Sequence, residues 1–578
     1  MAYEDLFKYI GDFGHYQKRI YFLLCLTAIL CGFHKMAGVF LNAVPNYRCQ
    51  LPNEPSNATY QSIWINDKQI NDTFMIYPKD SNCQRYDTNY TNEYFQAKIP
   101  SINNRTYCDD FIFDYSKFKS TTVTEWALIC KRAYMRATSD ALFMIGVLVG
   151  SIVFGQMSDN IGRKPVFFAS LVMQVIFGVL AGIAGNFYIY TAARIIIGAT
   201  TSGVFLVAYV LAMEMVGPTY RLFAGVAVQM FFSFGYIALA GFAYFFGEWR
   251  EFQIAITLPG LVFMCYYWII PESARWLLSK NRKEDAIKLI KAVAKENNVH
   301  IPDDVLNNID DDKLDVVKDP NLKDPTLLDL FRYPNLRKKT LLIFLDWFVN
   351  SATYYGLSWN TNSLGSNHLM NFVISGAVEF PAYTFLLFTL NRWGRRNILC
   401  GCMLVAGTML LMTVIIPDQK GSEQNYAVIA CAMLGKMAIT ASYGTIYVVT
   451  TEQFPTPVRN VGLGASSMMA RIGGIIAPYI NVLTDVWKPL PLVIFGTLSF
   501  ISGLLSLYLP ETLGKKLPET IEEGELFGKK RKHIHDAENA EEMKKLNGTT
   551  DAPATITDHP AEQNGYKKIQ NQTLDQKS

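Results

Sequence analysis
The chain carries one charge pattern twice, each time among apolar stretches of membrane-spanning length. Glu214 and Arg221 stand seven residues apart in EMVGPTYR, and Glu452 and Arg459 stand seven apart in EQFPTPVR. A basic Gly-Arg tripeptide precedes each pair, Gly162-Arg163-Lys164 and Gly394-Arg395-Arg396. A Pro-Glu-hydroxyl tripeptide follows each, Pro271-Glu272-Ser273 and Pro510-Glu511-Thr512. Corresponding members are offset by about 235 residues. This duplication restricts the fold to two related halves with their charged loops at one end, as in membrane proteins whose halves rock about a central site.

Half of the residues are apolar and 18% are charged, against roughly 25% charged in soluble domains. Twelve apolar runs are centred near residues 31, 147, 175, 202, 234, 261, 350, 379, 407, 437, 472 and 499. Each is close to the ~20 residues that cross ~30 Å of hydrocarbon. Those holding Lys35, Asp346 and Glu379 are interrupted by charge. The N-terminus is mixed in charge and runs straight into the first span, so that span is expected to be retained. A net charge of +3 without a basic-aromatic stripe argues against a nucleic-acid partner. No nucleotide-binding loop or metal-ligand spacing is present, which argues against an enzyme and an ATP-driven pump and predicts no cofactor. Coupling to sodium or protons stays open.

Short-loop bases at 163–164, 221, 274–339, 392–396 and 459 fall on one side, which the positive-inside rule assigns to the cytosol with both termini. The 43–137 segment is then extracellular. It holds Cys49, Cys83, Cys108 and Cys130 and the sequons at Asn57, Asn71, Asn89 and Asn104, the marks of a glycosylated loop with two disulfides in one of three pairings. The expected organisation is a cytosolic N-terminus (1–19), an N-terminal bundle (20–270), a cytosolic linker with short helices (271–338), a C-terminal bundle (339–514) and a disordered cytosolic tail (515–578). The tail sequons Asn547 and Asn571 are expected to be unused.

GQMSDNIGRKP (155–165) resembles the loop motif of the major facilitator superfamily, and PESARWLL and PETLGKKLPET resemble the ends of the two halves in its sugar and organic-ion branches. FHKMAGVFLNAVPNYRC, TEWALIC, YYGLSWNTNSLG, GAVEFPAY and TEQFPTPVRNVGLGASSMMARIGG resemble the organic cation/carnitine transporter family, particularly its insect members. The resemblance spans roughly residues 1–525. It implies an all-α major facilitator fold, twelve transmembrane helices in two six-helix bundles, with a substrate cavity between them. It also implies a plasma-membrane transporter.

Ionisable groups at mid-bilayer are costly and mark functional sites. Arg471 lies ten residues into its run, ~15 Å along a helix, and Glu379 and Lys436 reach similar depth. The family resemblance makes position 471 a choice point: pure cation carriers place an acid there, whereas carnitine and anion carriers place Arg. A guanidinium fits carboxylate, so the expected cargo is a small organic cation or zwitterion bearing a carboxylate. Phe205 and Tyr209 on the fourth run, Tyr354, Tyr355 and Trp359 on the seventh, and Tyr443 and Tyr447 on the tenth offer aromatic faces to an ammonium. The resemblance places Phe205, Tyr209 and Tyr354 at the cavity. Gln229 is a candidate for orienting the ligand. Asp346 is expected to snorkel or pair. Asp159, Arg163, Lys164, Glu214, Arg221, Glu452 and Arg459 are expected to form gating ion pairs across the two bundles. An organic anion transporter and a transporter-like sensor are the competing readings.

Overall fold
The structure is a computed structural model. It describes residues 6–51, 54, 58–65, 68–70, 76–78, 83–87, 105–302, 305–306, 326–365, 367–416 and 425–528. The N-terminal half contains α1 (His15–Met36), α2 (Ala133–Ile161), α3 (Arg163–Gly182), α4 (Phe187–Met215), α5 (Arg221–Phe245) and α6 (Trp249–Thr257, continued by Pro259–Met264). The C-terminal half contains α7 (Pro334–Trp359), α8 (His368–Ala377, continued by Glu379–Trp393), α9 (Arg395–Ile415), α10 (Tyr426–Gln453), α11 (Arg459–Val482) and α12 (Leu490–Ser506). Among the described residues, eight helices are long and apolar enough to cross a membrane. The remaining four positions explain themselves locally. α6 is divided at Leu258 and α12 is short, while α7 and α11 have the length but carry Asp346, Asn350 and Arg471 in their interiors.

Local chemistry sets the helix starts. Asn186 and Asn425 accept hydrogen bonds from the Ile189 and Val428 amides and cap α4 and α10. Proline opens α7, so the helix begins at Pro334 rather than at the expected 339. Within the first half, α2 and α4 touch backbone to backbone. A Cβ on Gly146 would stand 2.0 Å from the Ile195 carbonyl oxygen, and one on Gly150 would stand 2.2 Å from that of Ala199. Small residues at such crossings replace the hydrophobic drive that lipid cannot supply.

The segment between α1 and α2 defines the loop end of the molecule. Its described parts form antiparallel two-stranded pairs, Tyr47–Cys49 with Phe111–Phe113, Ile63–Ile65 with Lys68–Ile70, and Gln84–Tyr86 with Arg105–Tyr107. Of the three pairings open to four cysteines, the observed one is Cys49–Cys108 with Cys83–Cys130. Asn57, Asn71, Asn89 and Asn104 lie outside the described residues, as do Asn547 and Asn571.

The opposite, motif end is better ordered than its composition suggests. The linker helices Ala274–Ser279 and Lys283–Glu296 share an apolar cluster with Leu6, Phe7 and Ile10. Residues 515–528, expected to be disordered, instead dock. The helix Ile521–Leu526 presents Glu525 to the Asn335 and Leu336 amides at the start of α7, and Lys339 donates to the Gly524 carbonyl. A carboxylate at a helix N-terminus meets unpaired N–H groups and the positive end of the helix dipole.

Candidate functional site
The repeated motifs build the same object twice. Gly162 and Gly394 adopt φ of 128° and 90°, turning the chain into α3 and α9. The Glu272 carboxylate accepts from the backbone amides of Arg163, Lys164 and Ser273. Glu511 does the same for Arg395, Thr512 and Leu513. Burial alone would push the Glu511 carboxyl up, but the amides of Leu513, Arg395, Thr512 and Asn397 outweigh it and hold it below the usual range. The arginine after each glycine then reaches a glutamate of a neighbouring helix: Arg163 pairs with Glu214 at 3.2 Å and with Asp159, and Arg395 pairs with Glu452 at 3.2 Å.

These pairs lie within one bundle each; in this state the ion pairs found among the described motif residues are not the ones expected across the two bundles. Every ion pair described among the motif residues joins elements of one half, because the short turn before α3 or α9 aims the arginine along its own bundle. Lys164 rests over the Tyr267 ring at 4.7 Å. Arg221 opens α5. Arg459 donates to the Phe454 carbonyl, one turn from its own helix start.

Hydrogen bonds between the halves cluster instead at the loop end and midway. Asn362 donates to the Val39 carbonyl, Trp359 to the Lys35 carbonyl and Tyr479 to Thr138. Midway, Ser233 of α5 donates to Glu379 of α8, and Tyr236 bridges to Ser358 and Ser375. Near the loop end a cleft of about 210 Å³ is lined from both halves, by Arg136, Asp140, Trp359, Asn481 and Asp485 among others.

Glu379 and Lys436 form a closed knot. Both are buried, at 0% and 1% exposure, and stand 3.3 Å apart. Glu379 also accepts from Tyr354 at 2.7 Å, and Lys436 donates to Ser358 and lies 3.4 Å from the Tyr354 ring centroid. Both groups, placed in the site by sequence, satisfy each other. Asp346 lies away from the halves' boundary and does not snorkel: its Oδ1 accepts from Ser502 at 2.5 Å and Ser506 at 2.7 Å, while its buried Oδ2 has no hydrogen-bond partner among the described residues.

Arg471 behaves differently. It is half-buried, bonds only the carbonyl and hydroxyl of Ser467 on its own helix, and forms no ion pair among the described residues. Three residues on, Gly474 packs against Tyr355 of α7 and Met144 of α2, which locates Arg471 at the seam of the halves. Tyr355 stacks on Trp359 at 5.4 Å. Tyr443 and Tyr447 lie 6.1 Å apart, with Tyr447 42% exposed despite its mid-helix position. Phe205 and Tyr209 stack at 6.5 Å on α4, both half-buried, and Gln229 is half-buried on α5. Sequence reasoning missed Ser233, Tyr236 and the buried Arg194, which pairs with Asp140 at 3.5 Å. A charge inside YIYTAARIIIG was the available signal for the last. Among the described residues no three His, Cys, Asp or Glu side chains converge as metal ligands.

Two six-helix halves with duplicated charged turns and an ionised seam define a major facilitator transporter. A family model described as "Sugar (and other) transporter" matches residues 93–523. The "Organic cation transporter protein" of Drosophila melanogaster is 59% identical over 537 residues, covering 92% of this chain and 96% of that one. The "Organic cation transporter-like protein" of the same species is 55% identical over 558 residues, covering 94% and 96%. The "Beta-alanine transporter" of Drosophila melanogaster is 33% identical over 556 residues, covering 91% and 89%. Among solved structures, the xylose transporter XylE of E. coli in a partially occluded inward-open conformation aligns with a TM-score of 0.57 at 14% identity, covering 87% and 100%; this likeness concerns the fold. The chain belongs to the organic cation/carnitine transporter family of the major facilitator superfamily. It is a multi-pass membrane transporter and not an enzyme.

Proposed function
We propose that the chain carries small amines that also bear a carboxylate, by alternating access, and that Arg471 takes the carboxylate. One observation carries this reading: among the described residues Arg471 has no acidic partner, whereas the other mid-membrane ions named by sequence, Glu379 and Lys436, neutralise each other. An unpaired charge at membrane depth is maintained where a ligand or water meets it. The half-buried rings of Phe205, Tyr209, Tyr443 and Trp359 and the exposed ring of Tyr447, with Gln229, then receive the ammonium. Tyr354 and Tyr355 act through the groups they hold. The relative named a beta-alanine transporter supports the same cargo class for this chain.

In this reading the loop end faces outward, both termini are cytosolic and the protein resides in the plasma membrane. The bonds at the loop end make the described state inward-facing. The bundles are 20–270 and 339–514 in outline, joined by the 271–338 linker, with the 43–137 loop glycosylated at Asn57, Asn71, Asn89 and Asn104. Asp159, Arg163, Lys164, Glu214, Arg221, Glu452 and Arg459 stiffen the motif end of each half so that it moves as a body during gating. Radiotracer uptake in cells expressing the chain tests the cargo. Arg471→Ala should raise the Km for β-alanine or carnitine at least tenfold and leave tetraethylammonium within threefold. An equal loss on both removes Arg471 from recognition.

A further inference from the structure
Lys35 adds a second uncompensated cation to the same seam. It sits one residue from the end of α1, half-buried, with its ammonium over Phe232 of α5 at 5.8 Å and Tyr355 of α7 at 5.3 Å. Among the described residues it has no carboxylate partner, and its ammonium makes no hydrogen bond. Tyr355 is the ring against which Gly474 packs, one turn from Arg471. The two cations therefore approach the same tyrosine from opposite halves, Lys35 from α1 and Arg471 from α11. Lys35 also occupies a ring that would otherwise rest against a substrate ammonium, as Lys436 does at Tyr354. With Glu379 cancelled by Lys436 and Arg136 and Arg194 balanced by Asp140 and Asp485, the seam holds two excess positive charges among the described residues. A purely cationic cargo meets repulsion there, and a zwitterion leaves both excess charges in place. Two acidic groups on one small molecule remove them.

We propose that Lys35 and Arg471 form a two-cation subsite that selects small molecules with two carboxylates, with or without an amine. The proposal rests on Arg471 facing the cargo and extends the cargo of that same site to dicarboxylates. Lys35 is its specificity-determining residue.

Uptake of radiolabelled glutarate, β-alanine and tetraethylammonium is measured for the full chain and for Lys35→Met, Lys35→Arg and Arg471→Ala, normalised to surface-biotinylated protein. The expected result is saturable glutarate uptake by the wild type. Lys35→Met should raise the glutarate Km at least tenfold and the β-alanine Km less than threefold, and Lys35→Arg should preserve both. If Lys35→Met does not reach the surface, Lys35→Gln is read by the same thresholds. Absence of wild-type glutarate uptake alongside β-alanine uptake that Arg471→Ala impairs overturns the two-cation subsite and spares the reading of Arg471. Equal losses of glutarate and β-alanine in the Lys35 variants also overturn it. Tetraethylammonium uptake alone, indifferent to Arg471→Ala, overturns both.

Discussion
The Glu379–Lys436 knot allows a quantitative prediction. At 3.3 Å separation, two unit charges attract by about 5 kcal/mol for an effective dielectric of 20. Each ion has given up its hydration to be there. Removing one partner leaves the other buried and unpaired, a loss of roughly 3–5 kcal/mol, whereas replacing both is often nearly neutral. Lys436→Met strands Glu379 on the hydroxyls of Ser233 and Tyr354. Glu379→Gln strands Lys436 on Ser358 and the Tyr354 face. Melting of the detergent-purified protein should therefore fall by several degrees in either single variant and recover by more than half in the double. Additive losses would refute the pairing as the source of the effect. The knot also joins the halves through Ser233. Ser233→Ala removes a hydrogen bond to a charged group, worth about 1.5–3 kcal/mol, and that bond spans α5 and α8. A loss of 1.4 kcal/mol from the state closed at the loop end shifts its population about tenfold. Cysteine probes placed at the loop-end seam should then label faster in Ser233→Ala, and an unchanged labelling rate would show that this bond is made in both states.

Three further outcomes follow from the turns and the loop. Gly162→Ala and Gly394→Ala place a Cβ 2.6 Å from Glu272 and 2.5 Å from Glu511 at positive φ, so each should cost roughly 1–3 kcal/mol of stability, read as lost surface protein and a lower melting point. Cys49→Ser opens a bridge spanning 59 residues and Cys83→Ser one spanning 47; loop-closure entropy assigns each about 4 kcal/mol, and unchanged surface delivery of both would contradict that assignment. The Glu511 carboxyl is held below its ordinary range by backbone amides, so its stabilisation is complete above the unfolded carboxylate pKa and is lost as pH falls through the folded one. The melting difference between wild type and Glu511→Gln should accordingly shrink on acidification below the ordinary carboxylate range; a constant difference would assign the effect to packing.

What could be read from the sequence was whatever repeats or whatever is chemically out of place. The doubled tripeptides gave two halves, and Arg471 stood out as a guanidinium within an apolar run. Pairing was not legible, because it depends on which face of a helix meets which neighbour. Glu379 and Lys436 are 57 residues apart in sequence and become one neutral unit only when α8 and α10 pack. Lys35 read only as a charge interrupting the first run, since nothing local says that α1 turns it toward Tyr355. IEEGEL read as tail because its acids look solvated, yet Glu525 answers an N-terminal need of α7 that lies 190 residues away. The motif residues show the same limit from the other side. Their repetition was visible, but whether Arg163 meets Glu214 of its own half or an acid of the other is settled by the turn at Gly162. That turn gives the repetition a physical reason beyond gating. Glu272 and Glu511 each fasten the end of one half to the amides that start a helix in its middle, so the six helices on either side of the seam are tied at the motif end before they can move. A transporter that changes state by tilting whole bundles needs stiffness within each half and weak, reversible contact between them. The division seen among the described residues, ion pairs inside each half and hydrogen bonds between them, supplies both.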